Sequence, residues 1–185
     1  MTPLLAGRVT GALFLAAFLC YGGGTALGAV PGGIALIFLN SIAVAAIGFL
    51  VRARLRTEAP KTAEAYLWAR GTEAVLLAAG VWFLLADRPE TNALLYAAAM
   101  TALAAGSVPM LLALRRLAWF PAWFTAWGVI GYALLGIGAV ADSLVPGTGL
   151  FFALPGGLFE VVFAIVLLRA GFPARTEEAA LITTR

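Results

Sequence analysis

Residues 33–52 read GIALIFLNSIAVAAIGFLVR, and residues 53–63, which follow, read ARLRTEAPKTA. The first stretch has no charge until Arg52 at its end, and about 20 apolar residues are what an α-helix needs to cross the hydrocarbon core of a bilayer. The second stretch is rich in Arg and Lys, as cytoplasmic loops beside a membrane span are. Together the two stretches predict a transmembrane helix that ends at a cytoplasmic loop.

The same alternation of apolar runs with charged or Pro/Gly-containing joints extends along the whole chain. Its 185 residues are 63% hydrophobic and 11% charged, so most of the length is accounted for by spans. The predicted fold class is all-α, a polytopic membrane protein with a bundle of six transmembrane helices. The predicted spans are residues 5–27, 33–52, 64–86, 92–114, 120–142 and 148–169. Residues 1–172 are predicted to form this membrane domain, and residues 173–185 a polar C-terminal tail.

The first run has a second interpretation, as a signal peptide. Arg8 precedes the apolar stretch, and Ala26-Leu27-Gly28 resembles a small-residue cleavage site. The apolar part is longer than a usual signal core, which favours a span.

The basic residues are unevenly divided between the two sides of the predicted membrane. The positive-inside rule therefore places both termini in the cytoplasm. The outer joints would carry only Arg88, whereas the inner segments would carry Arg8, Arg52, Arg54, Arg56, Lys61, Arg115, Arg116, Arg169, Arg175 and Arg185.

Composition excludes several classes of function. The chain has no histidine and a single cysteine, Cys20, which argues against zinc sites, His-ligated haem, Ser-His or Cys-His catalysis and intramolecular disulfides. We therefore predict no cofactor, no metal and no catalytic residue. The formal charge of +3 does not indicate a nucleic-acid partner, because the basic residues are scattered at the ends of apolar runs.

Four ionisable side chains lie inside the predicted spans: Arg8, Arg70, Glu73 and Glu160. A charge at the bilayer centre costs ~2.5–3.5 kcal/mol on insertion scales, so such residues usually face the bundle interior and pair. Arg70 and Glu73 are three residues apart and share one helical face. We predict a neutral cluster of these four residues that joins the first, third and sixth spans in the cytoplasmic half of the membrane.

This cluster has two interpretations. It can be a structural clasp that specifies which helices pack together. It can instead be a proton or ion relay, or a site for a charged headgroup. Asn40 and Ser41, side by side in the second span, would extend either network.

Three tryptophans recur every four residues after Arg115 and Arg116, at Trp119, Trp123 and Trp127. Tryptophan is enriched at membrane interfaces, so this stripe predicts an interfacial anchor. Recognition of anionic lipid by the arginine pair beside it is the alternative.

Two clusters of helix-breaking residues lie within spans, Gly22-Gly23-Gly24 in the first and Pro155-Gly156-Gly157 in the sixth. They predict one of two structures. Either the helix breaks there, and protein or a water-lined cavity satisfies the freed backbone groups, or the small residues allow close packing of neighbouring helices.

Three segments together resemble a known family. They are YLWARGTEAVLL at 66–77, RRLAWFPAWFTAWGVIGYAL at 115–134 and LPGGLFEVVFAIVLLRAGF at 154–172. In this order they resemble the bacterial six-helix membrane family known only as domain of unknown function 4386, over about residues 6–172. The resemblance implies a six-helix integral membrane protein and supplies no reaction. We expect the protein to lie in the bacterial inner membrane. The positions that match its recurring polar sites are Arg8, Arg70, Glu73, Pro121, Gly128, Pro155 and Glu160.

For function, the sequence predicts a non-enzymatic membrane protein that binds or moves a small amphiphilic or charged solute at the Arg/Glu cluster. The second hypothesis is an accessory subunit that binds a membrane protein partner, or another copy of itself, with a purely structural cluster. An intramembrane enzyme that uses the two carboxylates as acid and base is the third. The lipid bilayer is a partner in each case.

Overall fold

A computed structural model of the chain, which describes residues 1–145 and 147–173, confirms the predicted fold class. It contains six α-helices and, within the described residues, no strand. All six are long and apolar enough to cross a membrane. The helices are α1 (Pro3–Leu27), α2 (Pro31–Leu55), α3 (Pro60–Leu85), α4 (Pro89–Arg116), α5 (Ala122–Leu144) and α6 (Gly149–Ala170).

The helices extend past most of the predicted apolar runs, and the joints are correspondingly short. Each of α1 to α4 begins with proline, whose fixed φ and missing N–H suit the first helical position. The inner joint predicted at 53–63 is therefore only residues 56–59, because α2 continues to Leu55 and α3 begins at Pro60. The predicted tail beyond residue 173 lies outside the described residues.

The six helices form a closed ring. Each helix packs against its neighbours in the chain, α1 packs against α6, and no other pair of helices is in backbone contact within the described residues. In this arrangement α3 stands opposite α6, and α1 stands opposite α4. The ring therefore encloses a lumen that only side chains can fill.

The two ends of the ring differ in charge. The basic end holds the start of α1, the joints 56–59 and 117–121, and residues 171–173. Its charged residues include Arg52, Arg54, Arg56, Lys61, Arg115, Arg116 and Arg169. The acidic end holds the joints 28–30 and 86–88 and the start of α6, and its charged residues are Asp87, Arg88, Glu90 and Asp142.

Both clusters of helix-breaking residues lie within continuous helices, so the predicted breaks are absent. Small residues instead bring neighbouring helices close together. A Cβ on Gly11 of α1 would lie 2.5 Å from the Ala164 carbonyl oxygen of α6, and Gly156 of α6 lies against Gly131 of α5. Close packing, the alternative interpretation, therefore describes Gly24 and Gly156, whereas Gly22 has no neighbour within 4 Å of a Cβ.

The lumen is filled on the side of the basic end. Phe124 of α5 packs against Phe159 and Phe163 of α6, with ring centroids 5.0 and 6.1 Å away. Buried Phe172 follows α6 across this end and donates its N–H to the Pro3 carbonyl at 3.2 Å. The basic end of the lumen is therefore closed by side chains and by the chain after α6.

The exterior of the ring is apolar on every side. Large exposed hydrophobic side chains occur on all six helices, as contact with lipid requires. Examples from successive helices are Leu19, Phe49, Trp82, Leu112, Ile137 and Phe151. The protein is therefore a multi-pass membrane protein whose surface contacts the bilayer.

Candidate functional site

Arg70 of α3 is the centre of a buried polar cluster, and its side chain is only 3% exposed. Its Nη1 donates to Glu73 Oε2 at 2.9 Å, and its Nε donates to the Tyr66 hydroxyl at 2.9 Å. All three residues are on α3, at the i, i+3 and i, i+4 spacing that places side chains on one helical face. The guanidinium also lies 5.1 Å from the Phe14 ring of α1, a cation–π distance.

The cluster crosses the lumen through Glu160 of α6. Arg70 Nη2 donates to Glu160 Oε1 at 3.3 Å, and the Tyr132 hydroxyl of α5 donates to the same oxygen at 2.6 Å. Because α3 and α6 stand on opposite sides of the ring, this ion pair bridges the lumen. We call Tyr66, Arg70, Glu73, Tyr132 and Glu160 the transverse cluster.

A central cavity of about 400 Å³ lies on the acidic-end side of the transverse cluster, within the range of small-molecule sites. Arg70, Glu73 and Glu160 form its polar floor. Apart from Asn40 and the tyrosines Tyr21 and Tyr96, the rest of its wall is apolar. It comes from all six helices, with members such as Ala17, Val44, Leu77, Met100, Leu135 and Ala153.

Two carboxylate oxygens on the floor of the cavity are available to a ligand. The hydrogen bonds of the transverse cluster engage Oε2 of Glu73 and Oε1 of Glu160. Among the described residues, Glu73 Oε1 and Glu160 Oε2 have no hydrogen-bond partner. Each oxygen can therefore accept a hydrogen bond from a molecule in the cavity.

Asn40 of α2 is a buried polar residue in the wall of the same cavity. The residue is 3% exposed and lies in the cavity wall, and its side-chain Nδ2 has no hydrogen-bond partner among the described residues. A buried amide without a partner costs about 1–3 kcal/mol. Neighbouring Ser41 is satisfied, because its hydroxyl donates to the Ile37 carbonyl at 3.1 Å. The Asn40 amide therefore lies beside the cavity with its donor capacity unused.

A second cavity of about 520 Å³ lies nearer the acidic end, between α4, α5 and α6. We call it the acidic-end cavity, because Glu90 and Asp142 lie in its wall. It shares Tyr96 and several apolar wall residues with the central cavity. Tyr21 of α1 stacks on Tyr96 of α4 across the lumen, with ring centroids 5.7 Å apart. The stacked pair therefore stands where the two cavities meet.

Exposed residues of α1 and α6 line the central cavity, so the cavity reaches the outer surface of the ring between these two helices. These helices are in contact near the basic end, where Gly7 lies against Gly171 and Gly11 against Ala164. Nearer the acidic end the cavity wall includes exposed Phe18 of α1, whose ring lies beside Gly157 of α6, and exposed Leu158 of α6. Gly22 of α1 also lines the cavity, and a Cβ there would have no neighbour within 4 Å. We call this gap the α1–α6 opening.

The structure brings together three of the four predicted ionisable residues, and the fourth prediction was wrong. Arg8 is exposed on α1 and does not reach the transverse cluster. The face of α1 that packs against the ring carries Gly7, Thr10 and Gly11, so Arg8 points away from the lumen. The cluster therefore contains one arginine and two glutamates, and is not the compensated set of four that the sequence predicted.

The depth of the cluster also differs from the prediction. Because α3 begins at Pro60, Glu73 lies roughly 20 Å from the basic end of its helix and roughly 18 Å from the other end, at ~1.5 Å per residue. Glu160 is similarly central in α6. The cluster thus lies near the middle of the helices, where an unpaired charge is most costly.

The tryptophan stripe is not a single helical stripe. Trp119 lies in the joint before α5 and packs against Phe172, with ring centroids 6.2 Å apart. Trp123 is 68% exposed on α5, whereas Trp127 packs inward on Phe159. The predicted lipid-interface residues Arg115, Arg116 and Trp123 are exposed at the basic end, and Trp119 is half-buried there.

Sequence analysis missed the two tyrosines of the transverse cluster. Tyr66 could have been found, because it lies four residues before Arg70 on the same helical face. Tyr132 lies in the middle of the fifth span, away from the interfacial belts where tyrosine is common. A tyrosine at that position predicts a buried hydroxyl that needs a hydrogen-bond partner.

The fold and the site together define a small helical membrane protein with an internal, ligand-sized cavity. Two carboxylates, an arginine and an amide converge on that cavity, and no cluster of metal-ligating residues occurs in the described part of the chain. Compared with models of protein families, with curated proteins and with solved structures, the chain has no match.

Proposed function

We propose that this protein binds a small amphiphilic solute in the central cavity, with the polar head of the solute at the transverse cluster. The observation that carries the proposal is the central cavity itself. It joins an apolar wall to a floor of two carboxylates, with the unpaired amide of Asn40 in the wall. Ligand sites commonly combine an apolar wall with a few convergent polar groups.

The transverse cluster on its own is also compatible with a purely structural role, as a clasp between α3 and α6. A clasp, however, requires only that the charges pair. It explains neither a cavity against both glutamates nor the unpaired donor of Asn40. Those two features support a ligand rather than a clasp alone.

Binding has more support than transport. The basic end of the lumen is filled by aromatic side chains and crossed by Phe172. Movement of a solute across the membrane would require a second conformation in which this packing opens. We therefore propose a binding protein whose site is reached from the acidic end or from the bilayer.

The accessory-subunit hypothesis lacks a comparable observation. Exposed apolar side chains are spread over all six helices and do not mark one face for a protein partner. For cellular context, we propose the bacterial inner membrane, with the basic end in the cytoplasm, by the positive-inside rule. The resemblance to domain of unknown function 4386 supports this placement and is itself a proposal.

Blocking the cavity should remove whatever molecule the protein carries from its own membrane. Ala153 lines both cavities, so Ala153→Trp should fill the space where they meet. Ala16→Trp is the matched control, because Ala16 is exposed on α1 and lines neither cavity. Mass spectrometry of organic extracts should find an amphiphile with the wild type and the control, and little with Ala153→Trp.

Equal amounts of the same molecules with all three proteins would contradict the proposal. Thermal melts of the purified variants would confirm that Ala153→Trp is folded before the extracts are compared.

A further inference from the structure

We infer that the ligand of the central cavity is a cationic amphiphile: an ammonium head on an apolar chain that is dissolved in the bilayer. This inference rests on the proposed function and names the chemical class of the ligand. Three independent features of the cavities lead to it.

The first feature is the sign of the charges in the walls. Arg70 is the only basic residue that lines either cavity within the described residues, and both ends of its guanidinium are already paired with carboxylates. The other charged wall residues are acidic: Glu73 and Glu160 in the central cavity, and Glu90 and Asp142 in the acidic-end cavity. A cleft lined by one sign of charge between low-dielectric walls attracts the opposite charge.

The second feature is the set of groups that a head would contact. Glu73 Oε1 and Glu160 Oε2 accept hydrogen bonds and cannot donate them while ionised. An ammonium head offers three donors, whereas a carboxylate or phosphate head offers none and would meet like charge. Tyr21 and Tyr96, which stack on each other, line the same cavity, and a tyrosine face that is not covered by another ring attracts ammonium groups.

The third feature is the apolar exit between α1 and α6. A straight chain with its head at Glu160 could run along the apolar wall and leave through the α1–α6 opening, past Phe18 and Leu158. Both of these side chains are exposed on the surface that faces lipid. The opening thus connects the floor with the hydrocarbon of the bilayer, which supplies dissolved amphiphiles rather than polar solutes.

The test compares three probes with the same twelve-carbon chain, each with a diazirine at mid-chain: an amine, an alcohol and a carboxylate. They are added to the full-length protein in nanodiscs of zwitterionic lipid, irradiated, and the labelled peptides are identified by mass spectrometry. Labelling is normalised to the amount of each probe taken up by empty nanodiscs. The amine should label cavity-lining peptides of α1 and α6 roughly tenfold more than the carboxylate, the factor expected for a charge-assisted hydrogen bond.

Glu160→Gln tests the role of the carboxylate in that preference. The amide keeps an acceptor for Tyr132, so the fold should survive. Labelling by the amine should fall to the level of the alcohol, while labelling by the alcohol stays unchanged. Glu64→Gln is the control, since Glu64 lies at the basic end in a part-exposed pair with Arg52, and it should change neither.

Gly22→Phe tests the path of the chain. A phenyl group at residue 22 would enter the open space at the α1–α6 opening and should reduce labelling by the amine. Gly71→Phe is the control, because Gly71 also has no neighbour within 4 Å and lines neither cavity.

The outcomes separate this inference from the proposed function. Equal labelling of the cavity by all three probes, or a preference for the carboxylate, would contradict the inference that the ligand is cationic. Either result would still support the proposal that the cavity binds an amphiphile. Labelling that misses the cavity peptides with every probe, and that no variant changes, would overturn both.

Discussion

At the scale of single residues, the transverse cluster depends on Arg70. Its guanidinium donates to three side chains from two opposite helices, and its own burial is tolerable only because those partners are present. The loss of any one partner therefore affects the others. This coupling predicts how the variants of the cluster combine.

Arg70→Ala should destabilise the detergent-solubilised protein by ~3–5 kcal/mol, because it leaves the buried carboxylates of Glu73 and Glu160 without a positive partner. Glu73→Ala should cost less, because Arg70 remains paired with Glu160. The double variant should lose clearly less stability than the sum of the two losses, because removing Glu73 also removes one of the two carboxylates that Arg70→Ala leaves unpaired. Thermal and denaturant melts of the three variants measure this.

Arg52 and Glu64 provide a control pair, joined at 2.6 Å but with side chains 34% and 46% exposed. Exposed pairs contribute ~0–1 kcal/mol, so these two alanine variants should have small, additive effects. Additive losses at Arg70 and Glu73 as well would show that the buried pair is not coupled.

The sequence identified Arg70, Glu73 and Glu160 because an ionisable group inside an apolar run has a recognisable cost. The prediction for Arg8 was wrong, because the cost of burying a charge does not determine which way a side chain near a helix end points. It missed Tyr66 and Tyr132 because a tyrosine within a span has no comparable cost. Whether each hydroxyl finds a partner is decided by the packing of the helices.

At the scale of the elements, small residues determine how closely α1 and α6 approach. Gly11→Leu should destabilise the bundle by more than ~1–3 kcal/mol, the usual cost of overpacking. The reason is that its Cβ would meet backbone, at 2.5 Å from the Ala164 carbonyl oxygen. Gly71→Leu, with no neighbour within 4 Å, should be nearly neutral or slightly stabilising, since glycine disfavours helices. Equal melting temperatures of the two variants would contradict the observed contact.

The number and type of the elements were predictable, and their ends and joints were less so. Apolar run length predicted six spans to within a few residues, because the bilayer sets a minimum length. The glycines at 22–24 left two structures open, a break and a close contact, of which close contact was the favoured one. Only the position of the neighbouring helix distinguishes the two, as at Gly24, where Ile37 of α2 lies within contact distance of a Cβ.

At the scale of the whole molecule, the charge difference between the two ends predicts the orientation. A reporter that is active only in the cytoplasm should work when fused after Lys61 and after Arg116 and should be inactive after Arg88. An active fusion after Arg88 would contradict the placement of the basic end in the cytoplasm. A reporter that works only outside the cytoplasm should give the reverse pattern and serves as the control.

The closed ring and its cavity could not be predicted from the sequence. The lumen exists because α1 packs against α6 and leaves opposite helices apart. The sequence indicates which residues are buried, but not that Arg70 and Glu160 meet across a lumen. The cavity above them depends on how much of that lumen the side chains of six helices fill, which is a property of the complete ring.

The proposed function depends most on the central cavity being open to small molecules. Leu103 and Leu111 of α4 are 3% and 0% exposed, and only Leu103 lines that cavity. Both cysteines are introduced in a Cys20→Ser background, and the protein in nanodiscs is treated with a small uncharged thiosulfonate. Leu103→Cys should react readily, and Leu111→Cys should react at least tenfold more slowly. A tenfold ratio corresponds to a difference of roughly 1.4 kcal/mol in the free energy of reaching the thiol. Equal rates for the two cysteines, or no reaction at either, would contradict an open cavity above the transverse cluster.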